Sequence, residues 1–310
     1  MLIFKARTDS RENGERDRSI TMIRHYYQLA KPGIIYGNAV TVIAGFALAS
    51  QGHLRLGLLL ATLVGISLVV ASGGIFNNYI DRDIDAVMDR TKNRVLVTGL
   101  VSGKSAIFYG IGLGFAGFIV LAVYTNFLTV SVAMTGFFVY VVLYSLWFKR
   151  DSHNGPLVGS IAGAVPPIVG YCAVTNNFDL GAAALFCILA LWQIPHFYAI
   201  AIYRKDEYAA AKIPVLPIEK GIPNTKIHML VYVIAFTAAS LMPTLFGYTG
   251  YVYLVTVALL GATWIGFAIA GFFADDDKRW ARNMFLFSII VITMLSIAIV
   301  ANALIMSLTI

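Results

Sequence analysis

Residues 56–75 read LGLLLATLVGISLVVASGGI, and residues 76–95, which follow directly, read FNNYIDRDIDAVMDRTKNRV. The first stretch contains no charged residue over a length that spans a bilayer as a helix, about 20 residues. The second stretch carries four aspartates within nine residues, together with four basic residues. The junction predicts a membrane-spanning helix that ends in a concentrated patch of charge.

The apolar composition extends this prediction to the whole chain. Hydrophobic residues make up 59% of the 310 residues and charged residues 13%, with a mean hydropathy of +0.77, whereas soluble domains carry about 25% charged residues. The apolar runs are continuous and do not alternate, which excludes a membrane β-barrel. The sequence therefore predicts an all-α membrane protein with nine transmembrane helices in a bundle. The predicted spans are 34–50, 57–80, 104–124, 127–148, 155–174, 180–203, 226–246, 250–273 and 283–308.

The placement of basic residues predicts the orientation of the bundle. Of the 23 Lys and Arg residues, 22 precede the first span or follow spans two, four, six and eight, and Arg55 alone falls on the other side. Because basic residues concentrate in cytoplasmic loops, we expect the N-terminus inside and the C-terminus outside. We expect a central cavity that opens to the cytoplasmic side. The net charge of +7 then reflects topology and ligand chemistry, and no nucleic-acid partner is implied.

The N-terminal residues differ from the rest of the chain. Residues 1–24 are polar and predict a disordered cytoplasmic tail, so that residues 25–310 form the nine-helix domain. The first residues have no apolar core of the kind that a cleavable signal needs. Four acidic residues within the first 17 argue against a mitochondrial transit peptide. We therefore expect a multi-pass protein of the bacterial inner membrane.

Asn77, Asp81 and Asp85 are spaced four residues apart and predict a metal site. Residues four apart on a helix lie one turn from each other on one face. Two carboxylates at this spacing repel, so the arrangement favours a divalent cation between them. Oxygen ligands suit Mg²⁺, which proteins hold with one or two carboxylates plus substrate phosphates. The neighbouring basic residues would then contact the phosphate oxygens.

A solvated loop at the membrane edge is the alternative interpretation of these charges. Asn77 and Asn78 argue against it, because amides still inside the apolar run are costly near lipid unless they face a polar interior. Asp89 continues the spacing, but it falls in the connecting loop, where the helical phase can be lost. Asp83 points to another side of the helix, where we expect it to be solvated or paired with an arginine.

At these residues the sequence resembles the UbiA superfamily of intramembrane prenyltransferases. The superfamily signature is matched in full by Asn77, Asp81, Asp85, Met88, Arg90, Thr91 and Arg94. Within the superfamily the chain is most similar to the protohaem IX farnesyltransferase (haem O synthase) family. Three further stretches carry that resemblance: YSLWFKRDSHNGPLVGSIAGAVPPIVGY (144–171), WQIPHFYAIAIYRKDEYAAAKIPVLP (192–217) and WARNMFLFSII (280–290).

The resemblance implies a reaction and a set of ligands. Farnesyl diphosphate loses diphosphate with the help of Mg²⁺, the farnesyl group joins a vinyl group of haem B, and water completes the side chain of haem O. The implied roles are catalysis for Asn77, Asp81 and Asp85, metal binding for Asp81, Asp85 and Asp206, and diphosphate binding for Arg90, Arg94, Lys149, Arg150, Arg204 and Lys212. Lys149 and Arg150 are equally explained as anchors on the cytoplasmic side. The superfamily's second aspartate pair is incomplete here, because Ala210 stands four residues after Asp206.

His196 is the first candidate for a haem contact, with Trp192 beside it. It is the only histidine well within a predicted span, and it follows Pro195, which removes a backbone hydrogen bond. A lone histidine between helices is alternatively a hydrogen-bonding residue with no ligand. His153, in a loop, is the competing haem contact.

Three other functions fit part of the pattern. A prenyltransferase for a quinone or another aromatic acceptor would share the signature, but we expect it to lack the Trp192–Phe197 helix. A cation-coupled transporter would carry acidic residues near the midpoints of its spans, and no predicted span has one there. A non-catalytic haem-binding protein would need the histidine without the stripe of carboxylates. The resemblance also suggests haem A synthase or a terminal oxidase as assembly partners, besides the lipid bilayer.

Overall fold

Nine long apolar helices run through residues 21–309, the part of the chain that the computed structural model describes. Within these residues the predicted helical architecture with nine candidate spans is confirmed. We number the long helices α1 to α9 in chain order. They are Pro32–Ser50, Leu56–Ile80, Gly103–Tyr124, Phe127–Asp151, Gly155–Thr175, Leu180–Tyr203, Ile222–Leu245, Tyr251–Phe273 and Asp277–Thr309, and three short helices, Arg82–Val87, Lys205–Ala210 and Leu216–Glu219, lie in the connections after α2 and α6.

The predicted N-terminal tail is described only in part. Residues 1–20 lie outside the described residues, and residues 21–29 are helical. The last four residues of the expected tail, 21–24, are therefore helical and belong to a helix that precedes α1.

Two helices begin earlier than their hydrophobicity predicts, because charged residues at their ends pair with each other. Lys226 of α7 is 8% exposed; its Nζ lies 2.5 Å from Asp277 Oδ1 of α9 and donates to the carbonyl of Gly271 at 2.6 Å. This pair, with Lys226 buried and Asp277 half-buried, joins the first turns of α7 and α9, which begin at Ile222 and Asp277. An apolar-run criterion misses both starts, since it treats each charge as a break in the span.

The two ends of the bundle differ in chemistry. Even-numbered helices end, and odd-numbered helices begin, at one end, which we call the basic end because it holds all the Lys and Arg residues of the connections except Arg55. At the opposite end the turns are short, and side chains cap the starts of α4 and α6. Asn126 accepts from the backbone of Thr129 at 2.9 Å, and Asp179 accepts from Gly181 at 2.9 Å. These caps satisfy N–H groups at the helix starts that have no intrahelical partner.

Small residues bring the helices of the bundle close together. A methyl group on Gly117 of α3 would lie 2.7 Å from the carbonyl oxygen of Gly65 on α2, which is too close for any side chain. Such contacts drive helix association in membranes, where apolar surface alone does not. Buried aromatic residues, among them Trp264 and Tyr253, fill the interior, and exposed apolar side chains such as Phe115 and Phe127 cover the outside. The outer surface is therefore suited to lipid.

The helix α4 departs from α-helical geometry over Val139–Phe148, which forms a π-helix. Its backbone hydrogen bonds skip one residue more than those of an α-helix, which changes the side-chain spacing on its faces. The segment lies next to α2 and α5 and ends one residue before Lys149. It therefore controls which side chains of α4 reach the charged end of α2.

Candidate active site

The stripe of Asn77, Asp81 and Asp85 is buried at the basic end of α2. The three residues are 4%, 0% and 4% exposed. The backbone N–H of Asp81 donates to the carbonyl of Asn77 at 2.9 Å, and that of Asp85 donates to the carbonyl of Asp81 at 2.8 Å. The helical spacing thus continues from α2 into Arg82–Val87, so the three side chains stay on one face, one turn apart.

Asp83 and Asp89 lie outside the stripe. The short helix ends at Val87, and Met88 is extended, which turns Asp89 away; its side chain is 82% exposed and lies 2.7 Å from Lys92 Nζ. Arg150 donates two hydrogen bonds to the Asp83 carboxylate, at 2.7 and 2.9 Å, and a third to the carbonyl of Ile80 at 2.7 Å. These hydrogen bonds lower the pKa of Asp83 to about 2. Arg150 therefore ties the end of α4 to the end of α2.

Each member of the stripe contacts its own cation. Lys149 Nζ contacts Asp81 Oδ2, Arg94 Nη1 lies 2.5 Å from Asp85 Oδ2, and Lys31 Nζ donates to Asn77 Oδ1 at 2.5 Å. The ammonium of Lys31 is close to the other cations. Burial first, and then the charges of Arg94 and Lys149, lower its pKa to about 7. Three chain segments, α4, the loop after Arg82–Val87, and the start of α1, therefore converge on the end of α2.

Two enclosed oxygen atoms beside these cations have no protein partner. Asp81 Oδ1 and Asn78 Oδ1 are buried without a hydrogen bond from any described residue, whereas buried polar atoms are nearly always paired. Among residues 21–309, the structure has no group of three or more His, Cys, Asp or Glu side chains that could hold a metal ion by themselves. Free oxygens and a small number of carboxylates are the donor set of a magnesium ion shared with a phosphorylated ligand. The residues present therefore fit Mg²⁺.

A cavity of about 300 Å³ opens beside the stripe. Three cationic side chains line it and no acidic side chain does, so an anion is the ligand that its charge favours. The amides of Asn78 and Asn93 add hydrogen-bonding groups that tolerate either polarity. Its lining consists of Gln28, Leu29, Lys31, Asn78, Arg90, Asn93, Arg94, Val95 and Leu96.

The π-helical segment of α4 supports the stripe from the other side. Asn77 Nδ2 donates to Ser145 Oγ at 2.9 Å, and Ser145 Oγ donates to the carbonyl of Tyr140 at 2.8 Å. The rings of Tyr140 and Tyr144 stack with their centroids 5.9 Å apart. One packs on Gly73 and the other on Gly159, where a methyl group would approach the ring atoms to 3.1 Å. The aromatic pair forms an apolar wall next to the charged groups.

The charged residues after α6 are arranged differently. Arg204 pairs with Glu207, while Asp206 and Lys212 are exposed. Tyr208, on the same short helix, lies near the cations of the stripe: burial raises the pKa of its phenol, and the charges of Arg90, Lys149 and Arg204 oppose that shift. The structure therefore brings Tyr208 and Arg204 toward the site and leaves Asp206 and Lys212 at the surface.

His196 lies in a cluster of rings between α6 and α9. Its Nδ1 is 2.7 Å from Ser288 Oγ, and its ring stacks on Trp192 with centroids 4.8 Å apart. The Trp192 indole donates to the carbonyl of Ser288 at 2.8 Å, and the Phe285 ring lies 4.9 Å from His196. His153 is elsewhere, with its Nδ1 2.5 Å from Glu219 Oε2. Trp192 and His196 are thus brought together, and His153 is tied to another loop.

Sequence reasoning missed several residues of this arrangement, among them Lys31, Ser145, Ser288 and the tyrosines Tyr140, Tyr144 and Tyr208. Lys31 looks like one of many basic residues at the start of the first span, and only its proximity to Asn77 reveals another role. Ser145 and Ser288 look like the other serines of the apolar helices, such as Ser131 and Ser296, whose hydroxyls bond to their own backbone. The sequence did offer one signal for Lys31. Proline is favoured at the first position of a helix, so Pro32 predicts that Lys31 stands directly at the start of α1.

Comparisons with known proteins agree with this geometry. The sequence model of the UbiA prenyltransferase family matches residues 38–290. Protoheme IX farnesyltransferase from Cronobacter sakazakii (strain ATCC BAA-894) is 56% identical over 276 residues, which cover 89% of this chain and 94% of that protein. The protein of the same name from Yersinia pseudotuberculosis serotype O:1b (strain IP 31758) is 55% identical over the same length, with the same coverage.

Solved structures show the same fold at low sequence identity. A digeranylgeranylglyceryl phosphate synthase superposes with a TM-score of 0.76 at 17% identity and covers 91% of this chain and 98% of its own. A UbiA homolog from Archaeoglobus fulgidus bound to GPP and Mg²⁺ superposes with a TM-score of 0.62 at 15% identity and covers 89% of this chain and 99% of its own. The nine-helix bundle described above is therefore a known membrane architecture.

Proposed function

Since this chain belongs to the UbiA prenyltransferase family, we propose that it transfers the farnesyl group of farnesyl diphosphate to a vinyl group of haem B and so makes haem O. The comparisons confirm the family and the prenyltransferase class that the signature from Asn77 to Arg94 predicts. We propose haem as the acceptor because the relatives that match most of this chain are named protoheme IX farnesyltransferase. The cation-lined cavity and the His196 cluster support the two substrates separately.

The proposed reaction begins at the diphosphate. The bond between the farnesyl C1 and its oxygen breaks, and diphosphate leaves with the electron pair. The vinyl group attacks C1, water adds to the resulting cation, and one proton is released. Lys31, Arg90 and Arg94 line the cavity that would hold the diphosphate, where fixed cations stabilise the developing negative charge without reorganising.

Asp81 and Asp85 are the residues that would hold Mg²⁺, with Asn77 and Asn78 beside them. When bound, Mg²⁺ would neutralise charge on the diphosphate oxygens and so improve the leaving group. Asp81 Oδ1 is free for this purpose, while Lys149 holds Asp81 Oδ2 and Arg94 holds Asp85 Oδ2 in place. Asp206 is exposed, so we propose that this stripe supplies the protein ligands.

The remaining basic residues of the sequence prediction receive distinct proposed roles. Lys149 orients Asp81, and Arg150 fixes Asp83 and the end of α2. Arg204, held by Glu207, closes the site from the α6 side. Lys212 is exposed and would attract the diphosphate from a distance. Tyr140 and Tyr144 would keep water from the allylic cation until the vinyl carbon has reacted, because they form the apolar wall beside the stripe.

His196 and Trp192 are proposed as the haem contacts. A prenyltransferase for an aromatic or quinone acceptor would need the stripe but no imidazole clamped between rings. His153 is the weaker candidate, because Glu219 already engages its Nδ1. We further propose that the basic end faces the cytoplasm of a bacterial inner membrane, since basic residues mark the cytoplasmic side. Haem A synthase or a terminal oxidase is then the expected recipient of the product.

Purified full-length protein with haem B, farnesyl diphosphate and Mg²⁺ tests the proposal, with mass analysis of the haem. We expect farnesylated haem, no product after chelation of Mg²⁺, and no product with Asp81→Ala. Asp275→Ala is the matched control, because this exposed aspartate lies in another connection at the basic end; we expect it to be as active as the unchanged protein. If intact protein farnesylates an aromatic acceptor but never haem, the proposed acceptor is wrong.

A further inference from the structure

The His196 imidazole has only one nitrogen engaged by the protein. Nδ1 lies 2.7 Å from Ser288 Oγ, while Nε2 has no hydrogen-bond partner among residues 21–309. Nε2 is also not among the polar side-chain atoms that the described part of the chain encloses fully and leaves without a partner. Rings from both helices hold the imidazole, Trp192 from α6 and Phe285 from α9. The side chain is therefore fixed in orientation, with a single nitrogen available to a ligand.

The position of the Ser288 hydroxyl proton decides which nitrogen of His196 is protonated. Ser288 is fully buried on α9, and its hydroxyl donates to the carbonyl of Phe285 at 2.6 Å. A hydroxyl has one hydrogen and two lone pairs. Because the carbonyl can only accept, the Ser288 hydrogen is used there, and Ser288 Oγ faces Nδ1 with a lone pair. Nδ1 must then carry the proton and donate, which leaves Nε2 as the bare nitrogen.

We infer that Ser288 is a positioning residue that holds His196 as the Nδ1–H tautomer and so presents the Nε2 lone pair to the haem iron. The identity of the ligand, haem, rests on the proposed function, whereas the tautomer of His196 does not. Histidines that bind metals commonly donate their other N–H to a protein acceptor, which fixes the ring and raises its basicity. Trp192 has a supporting part, because its indole N–H holds the Ser288 carbonyl and its ring covers the imidazole.

The chain offers a matched control for Ser288. Ser296 lies on the same helix, is 2% exposed, and donates from Oγ to the carbonyl of Ile292 at 2.8 Å. Ser288→Ala and Ser296→Ala therefore each remove one buried hydroxyl from α9. Only Ser288→Ala removes the oxygen that accepts from His196. Ser288→Thr restores a hydroxyl that can still bond to the preceding turn of the helix.

The tautomer is tested first without haem, on the full chain labelled with ¹⁵N-histidine in detergent. His196→Gln assigns the resonances by difference among the five histidines. We expect a protonated Nδ1 and a bare Nε2 in the unchanged protein and in Ser296→Ala. Ser288→Ala should redistribute the proton, and Ser288→Thr should restore the original pattern. A protonated Nε2 in the unchanged protein, or identical spectra for it and Ser288→Ala, overturns the inference.

The iron contact is tested with ferrous haem B bound to the same variants, by resonance Raman spectroscopy of the iron–histidine stretch. We expect a band that His196→Gln abolishes. In Ser288→Ala it should move to lower frequency and the haem Kd should rise about tenfold or more, whereas Ser296→Ala should change neither. Farnesylated haem without a His196-dependent band would leave the proposed function standing and overturn this inference. No farnesylated haem, with the band present, would overturn the function and leave the tautomer and the iron contact supported.

Discussion

The connections after α2 and α6 carry similar sequences of charge and use them in opposite ways. After α2, Asp81 and Asp85 are buried and each contacts a cation from outside its own helix, Lys149 of α4 and Arg94 of the following loop. After α6, Asp206 is exposed, and Glu207 pairs with Arg204 three residues before it. Burial and the origin of the partner, rather than the number of carboxylates, therefore distinguish the candidate metal site after α2 from the charged loop after α6.

The largest contrast is expected between Asp81→Asn and Asp206→Asn. Asp81→Asn removes a charge that would bind Mg²⁺, and we expect the rate of haem farnesylation to fall by at least about 100-fold. Asp206→Asn changes an exposed residue and should leave the rate within about twofold. Initial rates at saturating substrates measure both. Comparable losses at the two positions would show that both connections hold metal, against the comparison above.

Lys149→Met comes next, and its expected effect is a loss of folding stability. It leaves the fully buried Asp81 without its cation, and breaking a buried pair from one side costs about 3–5 kcal/mol. Thermal unfolding of the detergent-purified protein should show the loss, and added Mg²⁺ should recover more stability in this variant than in the unchanged protein. Arg204→Met is the control, because its pair with Glu207 is local and partly exposed. An equal response of both variants to Mg²⁺ argues against a metal at Asp81.

Lys31→Gln tests the cation-lined cavity and leaves every carboxylate of the stripe in place. The amide can still bond to Asn77 but supplies no charge, so we expect the KM for farnesyl diphosphate to rise about tenfold, the equivalent of about 1.4 kcal/mol. The Kd for haem should stay the same. Lys104→Gln removes an exposed lysine at the same end of the bundle and serves as the control. A normal KM in Lys31→Gln would remove this lysine from the diphosphate site.

The smallest effect is expected at Asp89. Its carboxylate is 82% exposed and contacts only Lys92, which lowers its pKa. Asp89→Asn should therefore keep the rate and its Mg²⁺ dependence within about twofold. Titration of activity with Mg²⁺ provides the measurement. A weakened Mg²⁺ response would mean that the loop after Val87 rearranges and returns Asp89 to the stripe.

The fold and half of the site follow from sequence because they depend on periodicity. Apolar runs of membrane length define nine helices, and the spacing of four places Asn77, Asp81 and Asp85 on one face. The stripe survives into the structure because the helical hydrogen bonds continue across Asp81. Asp89 is lost from it because the chain becomes extended at Met88.

The rest of the site depends on contacts between distant segments, which periodicity does not encode. Lys31 meets Asn77 across 46 residues of chain, and Ser288 meets His196 across 92. The π-helix of α4 is equally hidden, because its sequence is mostly apolar and looks like any other span. Ser145 and Tyr140 are brought into contact by that geometry alone.

The π-helical stretch also makes the length of α4 a functional variable. A π-helix uses more residues per turn than an α-helix, so deletion of one residue on its lipid side, such as Val142, would let the stretch relax toward an α-helix. The relaxed stretch would absorb the missing residue and keep Lys149 beside Asp81, whereas a deletion in the α-helical part of α4, Phe127–Phe138, would turn every later residue of that helix by about 100°. Aligned sequences with a gap in the π-helical stretch would then keep the same site, and those with a gap in the α-helical part would move Lys149 away from Asp81, although no residue of the site had been substituted.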